Sequence, residues 1–268
     1  MEKSVSVILS GYRRGHLLEE QYQAILNQTY PVSETLLWYN NPEGEEPNYT
    51  IGTQIPTAYC TYNFGVWARF AFALNAKSEY VCVFDDDTVP GRKWIENCIN
   101  TIKERPGLLG TVGLLYTNPS PPTSPQCSYY EHYDRFGWVN PNNHTRQVDL
   151  VGHAWFFRRE WLSDYWRELP DPKYNLCGED MHFSYMLQKY RKLGTYVPPH
   201  PPEDHEMWGS TKGAMYGVDQ NSLWETNKQT VTGAPFKQAM HDYFVQQRRS
   251  GWNLINSSRI PIGLQPMG

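Results

Sequence analysis

The sequence has no long hydrophobic run, and this absence excludes several classes of protein. The apolar stretch within MEKSVSVILSGYRRG ends at Gly11 and is too short for a signal-peptide core or a membrane span. We therefore expect no signal peptide, no transmembrane segment and no membrane anchor. A cytoplasmic location is the matching expectation.

Paired cysteines and an excess of one charge sign are also lacking. The five cysteines are odd in number and show no CxxC spacing, which disfavours a disulfide framework or a zinc ribbon and fits reduced thiols. The 24 basic and 28 acidic residues give a net charge of -4 with no long run of either sign. A nucleic-acid partner is therefore not expected, because such partners select for basic surfaces.

Aromatic residues, in contrast, are plentiful. They make up 15% of the chain and include ten Trp and nineteen Tyr. Flat rings often face sugars or bases, so Trp138, Trp155 and Trp208 are candidate platforms for a sugar. The alternative for each ring is an ordinary place in the core.

The first half of the chain alternates between strand and helix patterns. This alternation predicts an α/β fold with a mainly parallel, Rossmann-like central sheet and helices on both faces. Apolar runs and helical spacing predict strands at 5–9, 35–39, 80–84 and 108–116, and helices at 17–26, 66–73 and 94–102.

The second half is less regular. Residues 117–125 are proline-rich, and 126–147 are predicted to pass over the active face. A strand at 148–157 and helices at 161–166, 182–192 and 236–247 follow, with long loops at 42–60 and 198–235. We predict one domain over 1–268, with a nucleotide-sugar-binding half (1–116) and an acceptor-binding half (117–268).

Three consecutive carboxylates in VCVFDDDTVP follow a predicted buried strand. Two carboxylates about 5 Å apart repel by roughly 3 kcal/mol at an effective dielectric near 20. Alternation along the strand places Asp85 and Asp87 on one side, roughly 6.6 Å apart at the backbone, and Asp86 on the other. Mg²⁺ or Mn²⁺ would offset this repulsion. The alternative is a solvated acidic turn.

Several segments in the same order resemble the GT-A glycosyltransferases, and specifically the exostosin-like family. They are Tyr12 with Arg14 (or Arg13), Trp38 to Asn41, Asn63 with Arg69, and Asp85 to Asp87. The resemblance continues through VDLVGHAWFFRREWL, with Asp149 and Gly152, and through GEDMHFSYML, with Glu179 and Asp180. The resemblance covers residues 4 to about 200. Anchor-free relatives of this kind are found among the glycan-building enzymes of large algal viruses.

This resemblance implies a metal-dependent transfer of a sugar from a UDP-sugar to a hydroxyl of a glycan acceptor. UDP-xylose is the expected donor, which makes the expected activity that of a xylosyltransferase. A viral source would place the enzyme in the host cytoplasm. The usual members of the family carry a membrane anchor, which is not expected here, and the loop PPHPPEDHEMWGSTKG has no counterpart.

The resemblance also implies roles for individual residues. The implied donor-binding residues are Ser10, Gly11, Tyr12, Arg13, Asn41, Arg69, Asp85, Asp86 and Lys212. Asp87 is the best metal ligand, assisted by Asp85 and by a late histidine, for which His205 is chosen over His200. The alternatives are a solvated basic turn for Arg13 and Arg14 and a surface histidine for His205.

Catalysis by an inverting enzyme requires a carboxylate that accepts the proton of the acceptor hydroxyl. Asp180 is the candidate, and Glu179 is the second choice. In a retaining enzyme the same carboxylate would stabilise an ion-pair intermediate. Both residues are also explained as acids favoured at the first turn of a helix.

Two other functions stay open at this point. A sugar nucleotidyltransferase shares the fold, but SGYRRG has little of its glycine-rich basic loop. A non-catalytic carbohydrate-binding protein would need the aromatic residues but not the acidic triplet together with Glu179 and Asp180.

Overall fold

A nine-stranded sheet forms the centre of the molecule. The computed structural model describes residues 4–40, 51, 54–228 and 233–257. The strands are β1 (Val5–Gly11), β2 (Glu34–Asn40), β3 (Thr57–Cys60), β4 (Tyr80–Phe84), β5 (Gly107–Tyr116), β6 (Tyr133–Gly137), β7 (Arg146–Val148), β8 (Leu150–Arg158) and β9 (Gly194–Val197).

Eight α-helices surround this sheet in the described part of the chain. They are α1 (Leu18–Leu26), α2 (Ala68–Phe72), α3 (Trp94–Glu104), α4 (Leu162–Tyr165), α5 (Glu179–Arg191), α6 (Gly213–Tyr216), α7 (Leu223–Thr226) and α8 (Phe236–Arg249). Helix α1 packs on β1, α3 on β5, and α5 on β5, β8 and β9.

The strand order is β3-β2-β1-β4-β8-β5-β9-β7, with β6 beside β5. Strands β1 to β4 are parallel to one another, β8 is antiparallel to both β4 and β5, and β9 is parallel to β5. Every residue of β1 and of β4 is buried. Because successive side chains point to opposite faces, both faces of these strands are covered. The predicted mainly parallel α/β fold is confirmed.

Aromatic side chains fill much of the core between the sheet and α5. The Phe70 and Tyr165 rings lie 4.9 Å apart and the Phe157 and Phe183 rings 4.8 Å apart. Trp155 is 1% exposed. The aromatic richness of the chain is therefore explained in large part by packing.

Several elements differ from the sequence predictions. Strand β3 lies in the predicted loop 42–60, and β6 lies in the predicted excursion 126–147. Helix α5 begins three residues earlier than predicted and ends before Lys192, which is left-handed at φ 58°. Gly194 then begins β9. These strands are short and incompletely buried, so their sequences lack a clear apolar pattern.

Candidate active site

A cavity of about 660 Å³ lies beyond the carboxyl ends of β1, β2 and β4. Ligands of open α/β sheets bind at this edge. Ten of the residues predicted for the site line the cavity: Ser10, Gly11, Tyr12, Arg13, Arg69, Asp85, Asp86, Asp87, Glu179 and Asp180. Asn41 lies outside the described residues, while its neighbours Trp38 and Asn40 contribute to the wall.

Gly11 is required at the end of β1 for packing. A Cβ atom on Gly11 would lie 2.5 Å from the ring of Tyr39 on the adjacent strand. The absence of a side chain thus lets two neighbouring strands close beside the cavity.

The three aspartates after β4 face different partners. Asp85 and Asp87 lie beside His153, with Nδ1 of the imidazole 3.6 Å from one Asp85 oxygen and 3.8 Å from one Asp87 oxygen. Asp86 accepts a hydrogen bond of 2.7 Å from Arg14. Strand β4 ends at Phe84, and Asp86 and Asp87 lie in a turn closed by a hydrogen bond from Thr88 N to Asp85 O, so the predicted strand alternation does not continue through the triplet.

His153 reaches the aspartates because β8 contains a bulge. Gly110 pairs with Trp155 and Val112 with Gly152, so Thr111 alone faces two residues of β8. His153 is left-handed there, with φ at 65°, and its carbonyl oxygen accepts a hydrogen bond from Asp85 N. Bulges next to active sites redirect side chains in this way, and the positive φ of a non-glycine residue costs energy.

The ligand atoms of Asp85, Asp87 and His153 all lie within 4.8 Å of one another. Two carboxylate oxygens and one imidazole nitrogen at this separation form a donor set suited to a divalent cation. Burial acts to raise the pKa of Asp87, but the hydrogen bond and the charge of His153 outweigh burial, so this pKa is lowered. The same contact raises the pKa of His153 against the effect of burial.

Two buried arginines offset the negative charge of the triplet within the protein. Arg69 forms ion pairs with Asp85 and with Glu179, and the nitrogen–oxygen distance to Glu179 is 2.6 Å. Arg14 contacts Asp86 and makes two hydrogen bonds to Asp219, of 3.1 and 2.6 Å. Burial raises the pKa of Asp86 to about 7, although the charge of Arg14 opposes this. The carboxylate repulsion is thus relieved from two sides.

Helix α5 presents two acids that have different partners. Gly178 precedes the helix at φ 93°, and a Cβ atom there would lie 2.6 Å from the Tyr243 ring. Glu179 is buried against Arg69, and burial raises its pKa to about 8 despite that charge. Asp180 accepts a hydrogen bond from Met181 N, and burial raises its pKa to about 6.

Two residues predicted for the site do not line the cavity. His205 is exposed, and its ring packs 4.1 Å from the ring of Trp208. Lys212 pairs with Glu20 and lies 3.5 Å from the Tyr216 hydroxyl, so it connects the segment before α6 to α1. His200 is fully buried and bonded at both ring nitrogens. Of the three candidate tryptophan platforms, Trp138 lines the cavity.

Sequence reasoning missed His153 and Asp219. His153 lies within VDLVGHAWFF, where Asp149 and Gly152 had been singled out, and a polar residue inside an apolar strand was the available signal. Asp219 is 205 residues from Arg14 and lies in a segment without periodicity, so no local pattern indicates this pair.

An acidic triplet and a nearby imidazole thus lie at the carboxyl edge of an α/β sheet, the edge at which ligands of such sheets bind. The family model "Glycosyl transferase family 2" matches residues 6–166. The chain belongs to this family and is a glycosyltransferase. This result favours the transferase over the nucleotidyltransferase and the carbohydrate-binding protein.

Comparisons with individual proteins give low sequence identity. No curated protein matches the chain. Among solved structures it is similar to S. aureus TarS, with 15% identity, TM-score 0.48 and coverage of 73% of this chain and 35% of that one. The structure of TarS 1–349 shows 14% identity and a TM-score of 0.48, and the complex of TarS 1–349 with UDP shows 15% identity and a TM-score of 0.49. The chain spans 58% of that form.

The finer predictions from the resemblance stay predictions. The family match does not extend to the exostosin-like family or to a viral xylosyltransferase, and the single-domain boundaries stay a prediction. Among the described residues, no helix combines the length and apolar character that crossing a bilayer requires.

Proposed function

We propose that the protein uses a divalent cation to transfer a sugar from a UDP-sugar to a hydroxyl of a glycan acceptor. The observation that carries this proposal is the convergence of Asp85, Asp87 and His153 at a cavity of about 660 Å³. That volume lies in the range of sites for ligands of this size. The family match supplies the reaction class.

Asp85, Asp87 and His153 would hold Mn²⁺ or Mg²⁺. Their donor atoms are close enough to share one ion, and their oxygen-rich character suits these metals. When bound, the cation offsets the charge of the departing diphosphate. His153 takes the role that the sequence assigned to His205.

The nucleoside would lie against the ends of β1 and β2. Ser10 Oγ and Asp86 Oδ2 are buried and lack a hydrogen-bond partner among the described residues. Buried polar atoms are rarely left unpaired, and ribose or uracil groups would satisfy both. Both terminal nitrogens of Arg69 pair with carboxylates, so this residue would position Asp85, and among the described residues only its Nε lacks a partner.

Asp180 would act as the general base. Its partner is a backbone amide of its own turn, whereas Glu179 is bound to Arg69. The acceptor oxygen forms a bond to the anomeric carbon, the bond from that carbon to the diphosphate breaks, and the acceptor proton passes to Asp180. A base in this role fits a single displacement with inversion.

Slow hydrolysis of the donor tests this proposal without knowledge of the acceptor. The isolated protein is incubated with UDP-xylose, UDP-glucose, UDP-galactose, UDP-N-acetylglucosamine and, as an out-of-class control, GDP-mannose. We expect release of UDP from at least one UDP-sugar with Mn²⁺ and loss of the activity with EDTA. Equal rates in EDTA, or preference for GDP-mannose, would overturn the proposed donor and metal.

A further inference from the structure

Two segments outside the sheet meet at the mouth of the cavity. One precedes β6 and carries Tyr129 and Tyr130, and the other is α7, which carries Trp224. Tyr129 and Trp224 line the cavity, with their ring centroids 6.3 Å apart. The aromatic wall therefore begins inside the active site.

The same aromatic surface continues outward. Trp224 is 38% and Tyr130 is 47% exposed, and their ring centroids lie 6.2 Å apart. The His241 ring lies parallel to the Tyr130 ring, with 6.3 Å between centroids. Two large rings thus stay partly open to solvent beside the cavity.

Hydrogen bonds to α8 hold these rings in place. The Tyr130 hydroxyl donates to the carbonyl oxygen of Lys237 at 2.6 Å. Ser128 Oγ lies 3.1 Å from a ring nitrogen of His241. The Lys237 amide donates to the side chain of Asn227, one residue after α7, at 2.8 Å. Preformed positions of this kind reduce the ordering cost of binding.

We propose that Trp224 and Tyr130 form an acceptor subsite that stacks a sugar unit beyond the one that is glycosylated. The natural acceptor is then an oligosaccharide or polysaccharide. The electron-rich face of an aromatic ring attracts the C–H face of a pyranose, and the continuity with the cavity places that unit next to the reacting one. This inference rests on the proposed function.

A protein partner fits this surface less well. A stable protein interface buries about 800 Å² on each side. Two rings that are each less than half exposed supply far less area than this.

The test compares acceptors of different length. Cello-, chito-, xylo- and manno-oligosaccharides of one to four units serve as probes, in transfer assays and in binding assays without donor. We expect kcat/KM to rise with length in at least one series. Trp224→Ala should reduce that value about tenfold for the longest acceptor, a larger loss than for one-unit transfer or for donor hydrolysis.

Three further variants keep the inference falsifiable. Trp224→Tyr retains a ring and should recover most of the length dependence, and Tyr130→Ala should reduce it. Tyr62→Ala, at a ring that is 51% exposed and does not line the cavity, should change nothing. The absence of any length preference, or an equal loss of donor hydrolysis in Trp224→Ala, would overturn the subsite. Absent donor hydrolysis with retained oligosaccharide binding would instead contradict the proposed function alone.

Discussion

His153 faces Asp85 across the junction of two antiparallel strands, with 3.6 Å between Nδ1 and the nearest carboxylate oxygen. A β-bulge and a left-handed backbone at His153 create this approach. This conformation costs energy, and it brings a nitrogen donor close to two carboxylates. The candidate metal site therefore combines two neighbouring aspartates, Asp85 and Asp87, with His153, which is distant in the sequence.

Replacement of His153 tests its role as a metal ligand. His153→Asn removes the imidazole but keeps a residue type that tolerates positive φ. We expect the Mn²⁺ concentration for half-maximal donor hydrolysis to rise about tenfold or more. His205→Asn is the matched control and should leave it unchanged. The reverse pattern would restore the assignment made from the sequence.

Asp180 and Glu179 can be separated by isosteric amides. Asp180→Asn should reduce sugar transfer about 100-fold or more, because an amide cannot accept the acceptor proton. Glu179→Gln keeps an oxygen that accepts the hydrogen bond from Arg69, so transfer should stay within about tenfold. Kinetics with saturating donor measure both. Full activity in Asp180→Asn would identify another base.

The pH dependence of transfer follows from the same group. Burial raises the pKa of Asp180 to about 6, and the base must be ionised to act. The rate should therefore fall as the pH decreases through about 6 and stay level just above it. A profile of kcat/KM against pH measures this decrease. A rate that increases below pH 6 would contradict the assignment.

His200 gives a second pH effect, on stability. Its Nε2 accepts a hydrogen bond from Gly209 N at 3.1 Å and its Nδ1 lies 2.8 Å from Pro198 O, which fits a neutral ring. Burial lowers its pKa to about 4, against about 6.5 in the unfolded chain. As the pH falls, the unfolded state therefore binds a proton before the folded state does. The stability contributed by the neutral His200 ring is present above about pH 6.5 and is lost as the pH falls towards 4.

Urea unfolding measures this effect. Between pH 7 and pH 4 the free energy of unfolding should lose about 3 kcal/mol through His200. His200→Gln should flatten that dependence, whereas His132→Gln, at an exposed position, should not. Equal slopes in the wild type and in His200→Gln would show that the buried ring does not titrate in this way.

The sequence predicted the parts of the fold that have strong local patterns. Strand β4 is found at 80–84 as predicted, because five consecutive apolar residues end at three aspartates. Strand β6 was missed because its residues are partly exposed and pair with β5 through contacts distant in sequence. Short edge elements depend on tertiary pairing, which composition does not encode.

The site divides in the same way. The residues at strand ends, such as Ser10 and Asp87, could be predicted because parallel strands end at one edge. His153 depends on a one-residue bulge, and the partner of Arg14 lies in a segment without periodicity. Both require knowledge of which distant segments meet.

Calorimetric titration of UDP tests most directly whether the aspartate cluster joins a cation to a nucleotide. The titration is made with Mn²⁺ and with EDTA, on the wild type and on Asp87→Asn. The account predicts binding of UDP that requires Mn²⁺ and is lost or strongly weakened in Asp87→Asn. Binding of equal strength in EDTA, or unchanged in the variant, would contradict it.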